Sequence, residues 1–236
     1  MKNYPIEITE KRTVKRITVK QSMTDFLDAF NVERGLVYTV KLLFKQPGSL
    51  IRFYLTEGRF KIVNAFRLLI ISTALSLILL SFTDSFQLFY NVSGDSDAAT
   101  AQMQEFMNRL FTDWYNLILW LSIPAYASCS FLLLKKYESF NYAEHMVIQS
   151  FLVSVSNILV ILFLPFGYLI GFEIAFALSF VIGVVYYFYL FSNLYQQRKF
   201  WFFFRVFLAF FLGNMFYFFI VGVGLAALLF SVFGGK

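Results

Sequence analysis

Glu144 and His145 form an adjacent acid and histidine pair, and His145 is the only histidine in the chain. Histidine titrates near neutrality, so the pair has three readings: a structural pairing or proton transfer with an arginine of the N-terminal arm, a switch, or chemistry on a lipid headgroup. A lone imidazole cannot supply a typical zinc hydrolase site, and adjacent helix positions point about 100° apart. No serine has a histidine and a carboxylate close by in sequence, and the one cysteine, Cys129, lies inside an apolar run. Catalytic, cofactor-binding and metal-ligating residues are therefore assigned to none. Four polar positions remain of interest within or beside the apolar runs: Glu144, Glu173, Asn157 and Asn214. Glu173 is the one carboxylate in the fourth run, where a charge is costly unless it is near water, paired or protonated. It reads as an interfacial group or as a cation or proton site. The amides, with Asn193, read as hydrogen bonds between helices or as the lining of a path. Arg52, Arg59 and Arg67 recur at intervals of seven and eight residues, which places them on similar faces of a helix if Gly58 does not interrupt it. They read as headgroup contacts, or as an anion or phospholipid site shared with Glu57 or Glu144.

The elements that must position these groups are five long apolar runs, 62–82, 117–134, 146–165, 170–195 and 206–233. Each is near or above the length of about 20 residues that crosses hydrocarbon as a helix. The composition agrees: 59% hydrophobic, 21% aromatic and 14% charged, with a mean hydropathy of +0.66. The fold class is thus an all-α membrane protein with five transmembrane helices. Charge orients it. Residues 1–61 hold twelve Lys and Arg, the 135–145 loop adds Lys135 and Lys136, and the 196–205 loop adds Arg198, Lys199 and Arg205. The 83–116 loop carries Asp84, Asp95, Asp97, Glu105 and Asp113 against Arg109. Positive residues are retained on the cytoplasmic side, so the N-terminus is expected inside and the C-terminus outside, in the cytoplasmic (inner) membrane.

Three regions follow: a basic tail over 1–20, amphipathic helices over 21–61, and a membrane domain over 62–236. Leu36, Val37, Val40, Leu43 and Phe44 recur at helical spacing, Gln46-Pro47-Gly48 breaks the pattern, and Ser49 can cap a further short helix over 50–57. These helices either lie in the cytoplasmic interface among anionic headgroups or fold beneath the bundle as a platform. Small residues at strict four-residue spacing, Gly171, Ala175, Ser179 and Gly183, form a helix-packing stripe. The stripe serves packing within one bundle or, as an alternative, a homo-oligomer. Helical spacing around Met103 to Phe111 predicts a further helix capping the outer side.

The segment 35–59, with Pro47-Gly48, Arg52 and Gly58-Arg59, resembles the opening of an uncharacterised family of bacterial multi-pass membrane proteins. Asn141-Tyr142-Ala143-Glu144-His145 is similar to a second short motif of that family. The resemblance implies topology more than function. Many members carry a Cys-x-x-Cys zinc ribbon ahead of the Pro-Gly motif, which this chain lacks.

The polar inventory inside the spans is thin, which favours an accessory, regulatory or scaffold protein acting through its basic cytoplasmic arm, with no chemistry. The expected partners are the lipid bilayer with its anionic headgroups and a protein bound through residues 1–61; a nucleic acid is disfavoured. Two alternatives stay open: a small channel or transporter with Glu173 and the asparagines on its path, and a lipid-modifying enzyme using Glu144 and His145.

Overall fold

The computed structural model describes residues 35–56, 62–82, 98–138 and 140–233. The basic tail 1–20, the segment 21–34, Glu57, Gly58 and Arg59, and the acidic part of the first loop lie outside the described residues. Within them the chain is helical throughout, with α1 (Gly35–Lys45), α2 (Pro47–Thr56), α3 (Ala65–Phe82), α4 (Ala98–Leu134), α5 (Tyr142–Phe163), a short α6 (Gly167–Ile170), α7 (Phe172–Tyr195) and α8 (Phe200–Phe233). A 3-10 turn, Leu164–Phe166, joins α5 to α6. Five of these helices are long and apolar enough to cross a membrane: α3, α4, the stretch from α5 through α6, α7 and α8.

Local chemistry sets the helix ends. Asn64 accepts a hydrogen bond from the Phe66 amide at 2.9 Å and starts α3. Asn141 and Glu144 start α5 with a reciprocal capping box: the Asn141 side chain accepts from the Glu144 amide at 2.9 Å, and the Glu144 carboxylate accepts from the Asn141 amide at 2.7 Å. Gly171 takes φ +91°, a region open chiefly to glycine, and this break separates α6 from α7. The fourth span therefore begins at Phe172 and not at Ile170. The helix that holds the second span is longer than its apolar run, because it starts at Ala98 and continues without a break through Trp114 to Leu134, while the apolar stretch within it is Asn116–Leu134. Pro124 sits inside this helix and withholds the amide that would bond the Trp120 carbonyl.

The bundle is organised around α5, which packs against α3, α4 and α7, while α8 lies along α4. At Gly213 of α8 a Cβ would fall 2.6 Å from the Tyr126 ring, so the absence of a side chain lets these two helices approach. Ala175 and Ser179 are buried and Gly183 lies opposite Leu159 and Ser156 of α5, so three members of the small-residue stripe serve packing within the bundle. Gly171, the fourth, has nothing within 4 Å of a would-be Cβ.

The two helices ahead of the first span belong to the same core. Leu43 of α1 and Leu50, Ile51 and Tyr54 of α2 are buried together with Phe151 of α5 and Leu190, Phe191 and Leu194 of α7. Tyr54 meets Phe151 edge-on, with ring centroids 5.3 Å apart. The last carbonyls of α1 have no partner within their own helix, and α7 supplies one to two of them. Tyr186 donates to the Leu43 carbonyl and Tyr189 to the Lys45 carbonyl, both at 3.0 Å. Pro47 and Gly48 open α2, and Gly48 is needed for proximity: a Cβ there would fall 2.6 Å from the Leu194 nitrogen and closer still to the Asn193 carbonyl. The Pro-Gly pair thus seats α2 on the backbone of α7.

Candidate functional site

The densest polar constellation lies where α2, the α4–α5 turn and the end of α7 converge. Arg52, on the second turn of α2, reaches Glu138 of the turn with two parallel hydrogen bonds, Nη1 to Oε1 and Nη2 to Oε2, each 2.6 Å. Its Nε donates to the Leu194 carbonyl at 2.9 Å, and its Nη2 also donates to that carbonyl. One guanidinium therefore satisfies a carboxylate and a carbonyl in the last turn of α7, where a positive charge also complements the helix dipole. The planar fork suits this double task, and a lysine ammonium could not reproduce it. About a third of the Arg52 side chain is exposed, so the pair is partly screened by water. The guanidinium carbon also lies 5.9 Å from the centre of the Phe140 ring.

Phe140 separates this ion pair from a second group of polar side chains. Its ring meets Tyr195 edge-on at 5.7 Å and His145 at 6.4 Å. His145 is fully buried. Its Nδ1 lies 2.9 Å from the Ser130 hydroxyl of α4, and its Nε2 lies 3.4 Å from the Tyr195 hydroxyl of α7. Gln149, one turn along α5, donates its amide to the Ser130 hydroxyl at 3.2 Å. Three membrane helices are thereby tied through one imidazole and two hydroxyls. Arg205 of α8 joins the same end, donating to the Leu133 carbonyl at 3.2 Å with its guanidinium 5.8 Å from the Tyr137 ring centre.

What can this arrangement do chemically? Ser130 and His145 have the separation of a nucleophile and its base. Both are fully buried, however, and both ring nitrogens already have hydroxyl partners. Ser130 also faces the Ala127 carbonyl at 3.2 Å and receives the Gln149 amide. A hydroxyl so enclosed has no face left for a substrate. The network satisfies buried polar groups across helices, which is the commonest use of such groups in a membrane interior.

The other singled-out residues are dispersed. Glu144 is spent on the capping box and faces away from its neighbour His145 into an exposed hydrogen bond. Asn157, buried in α5, donates to Thr73 at 2.9 Å and Ser72 at 3.4 Å on α3, where Trp120 of α4 also reaches Thr73 at 3.4 Å. It is a helix-to-helix link. Asn214 donates to the Phe210 carbonyl of its own helix at 2.9 Å. Glu173 is exposed on the first turn of α7, where the helix dipole favours a carboxylate. Arg67 is half-buried in the first turn of α3. Of the three arginines, Arg52 is held by Glu138 and the Leu194 carbonyl, and Arg59 lies outside the described residues. Among the described residues no three His, Cys, Asp or Glu side chains gather closely enough to hold a metal ion.

Glu138, Ser130, Gln149 and Tyr195 carry the constellation, and the sequence does not single them out. One signal was present: Gln149 follows His145 by four residues, so the two share a face of α5. Comparison with protein-family models, with curated proteins and with solved structures gives no match.

Proposed function

We propose that this chain is a non-enzymatic membrane component that scaffolds or regulates a partner through its basic N-terminal arm. The observation that carries this reading is the joint made by Arg52. The second helix of the arm, α2, is seated on α7 by Gly48 and locked to the α4–α5 turn by a bidentate ion pair. A partner bound through residues 1–61 would therefore act on helices that are packed into the membrane domain itself. Arg52 and the Asn141–His145 segment, on which the family resemblance rests, adjoin through Phe140 in this joint. Lys135, Lys136, Arg198, Lys199 and Arg205 belong to the turns and helix ends at the same end of the bundle, which supports a cytoplasmic placement of that end, with the N-terminus inside and the C-terminus outside.

The alternatives draw less support. A channel through Glu173, Asn157 and Asn214 would need them on one path, whereas Asn157 bonds to α3, Asn214 bonds within its own helix and Glu173 is exposed on the first turn of α7. A lipid-modifying enzyme would need Glu144 and His145 to face a common substrate, and one caps a helix while the other is sealed inside.

The test is purification of the full chain and of a chain lacking residues 1–20 in mild detergent, with mass by light scattering and identification of copurifying proteins. A stoichiometric partner retained by the full chain and lost by the truncated one is the expected result. A partner-free preparation whose liposomes pass ions or solutes, with flux abolished by Glu173→Gln, would overturn the reading.

A further inference from the structure

The turn between α7 and α8 holds a cavity of about 610 Å³ lined by Ser192, Asn193, Gln196, Gln197, Arg198 and Lys199. Every lining group is polar, two are cationic, and no carboxylate lines it. Among the described residues no hydrogen bond or ion pair engages the Arg198 or Lys199 side chain, in contrast to Arg52 and Arg205 beside them, which are held by protein groups. The backbone adds a second observation. Gln196 takes φ 52° and ψ 35°, the one left-handed non-glycine position among the described residues. Helices commonly end in this conformation on glycine or asparagine, so a glutamine whose side chain lines a cavity departs from the low-strain choice, and such departures concentrate at ligand sites.

Geometry decides which ligand is at hand. Only residues 196–199 join two membrane-spanning helices, so the cavity lies at the depth of the lipid headgroups. Phe200, Trp201 and Phe204, which follow immediately, are exposed, as aromatic side chains are at a membrane interface. We propose that this turn binds the phosphate of an anionic phospholipid whose headgroup carries hydroxyls. Arg198 and Lys199 hold the phosphate. The side-chain amides of Gln196 and Gln197 meet the headgroup hydroxyls, while Ser192 and Asn193, whose side chains donate to the Gln197 and Tyr189 carbonyls, form the wall of the cavity. Two cations disfavour a choline or ethanolamine headgroup, and the acyl chains run down the exposed aromatic face of α8. The site is independent of the scaffold reading and of which leaflet this end faces.

The test uses the full chain in detergent, with binding of phosphatidylglycerol, phosphatidylcholine and inorganic phosphate followed by native mass spectrometry. Phosphatidylglycerol is expected to bind at one defined site, phosphatidylcholine at least about tenfold more weakly, and the double variant Arg198→Gln with Lys199→Gln to lose about tenfold for phosphatidylglycerol. The control is Lys135→Gln with Lys136→Gln, the same change of charge on the neighbouring turn, which is expected to retain binding. Equal loss in both doubles would reduce the effect to surface charge and overturn the site. Full competition by inorganic phosphate at equal concentration would overturn the lipid assignment in favour of a soluble anion. Gln196→Gly is expected to raise the melting temperature and still weaken lipid binding about threefold, a pair of opposite shifts; unchanged binding would remove Gln196 from the site.

Discussion

Helices α5 and α8 are almost equally apolar, with mean hydropathies of 2.3 and 2.2 over their most apolar stretches, yet 56% of that stretch is buried for the span that α5 opens and 17% for α8. In water such sequences would both seek a core. In a bilayer the lipid tails are as apolar as leucine, so hydropathy places a helix in the membrane without deciding its neighbours. What distinguishes α5 is its polar and small residues: His145, Gln149, Ser150, Ser154 and Asn157 are all buried and most of them face another helix. The outward side of α8 carries Phe207, Phe211, Phe218 and Phe219, all exposed. At Gly213, where α8 meets the Tyr126 ring, a side chain is missing. Between these two helices burial therefore follows small and polar residues more closely than hydropathy, although Phe151 of α5 and Phe202 of α8 are also fully buried.

The largest effect tests the small-residue half of that rule. Gly48→Leu drives a side chain into the backbone at Asn193 and Leu194, which cannot step aside as a flexible side chain could. A loss of about 3 kcal/mol is expected, with the monodisperse peak in size-exclusion chromatography giving way to aggregate. Gly222→Leu, on α8 with nothing within 4 Å of its added Cβ, is the matched control and should be silent. If the two variants melt alike, proximity at Gly48 is not what seats α2.

Next come the polar links. His145→Leu removes the partner of both Ser130 and Tyr195 while keeping bulk, and should cost about 1.5 kcal/mol in a detergent melt. Asn157→Leu, which frees Ser72 and Thr73, should cost about 1 kcal/mol. A smaller term belongs to Arg52 and Glu138, whose side chains are 35% and 26% exposed. A double-mutant cycle of Arg52→Gln and Glu138→Gln should return a coupling of about 1 kcal/mol that shrinks in high salt. A coupling near zero at low salt would leave the joint between arm and bundle to packing alone.

The same contrast explains what the sequence could reveal. The five spans were legible because length and hydropathy are one-dimensional properties: the run 62–82 holds α3, and 170–195 holds α7 apart from the break at Gly171. The start of α5 at Tyr142 was legible in principle, since Asn141 and Glu144 have the spacing of a capping box, although the apolar run begins only at Met146. The site was not. Arg52 meets Glu138 across 86 positions and His145 meets Tyr195 across 50, and no local pattern encodes such pairings. Pro47-Gly48 reads as a bend in sequence, whereas in the fold its glycine is a flat seat for another helix. Glu144 and His145, the most suggestive pair by chemistry, point to opposite tasks because adjacent helix positions diverge.

The smallest effect is the most discriminating for α8. Phe218 is 66% exposed, so Phe218→Leu exchanges one lipid-facing apolar group for another and should shift stability by less than about 0.5 kcal/mol. The argument depends on lipid being the neighbour. If the variant changed the mass in light scattering, or lost more than about 1 kcal/mol, the ring would have to be packing against protein, since lipid tails cannot discriminate so strongly between phenylalanine and leucine. The outward face of α8 would then be a contact surface between copies, and the low burial of this helix would describe one protomer of an assembly. Silence at Phe218, beside a clear loss at His145, would instead establish that hydropathy and burial are decoupled along this chain.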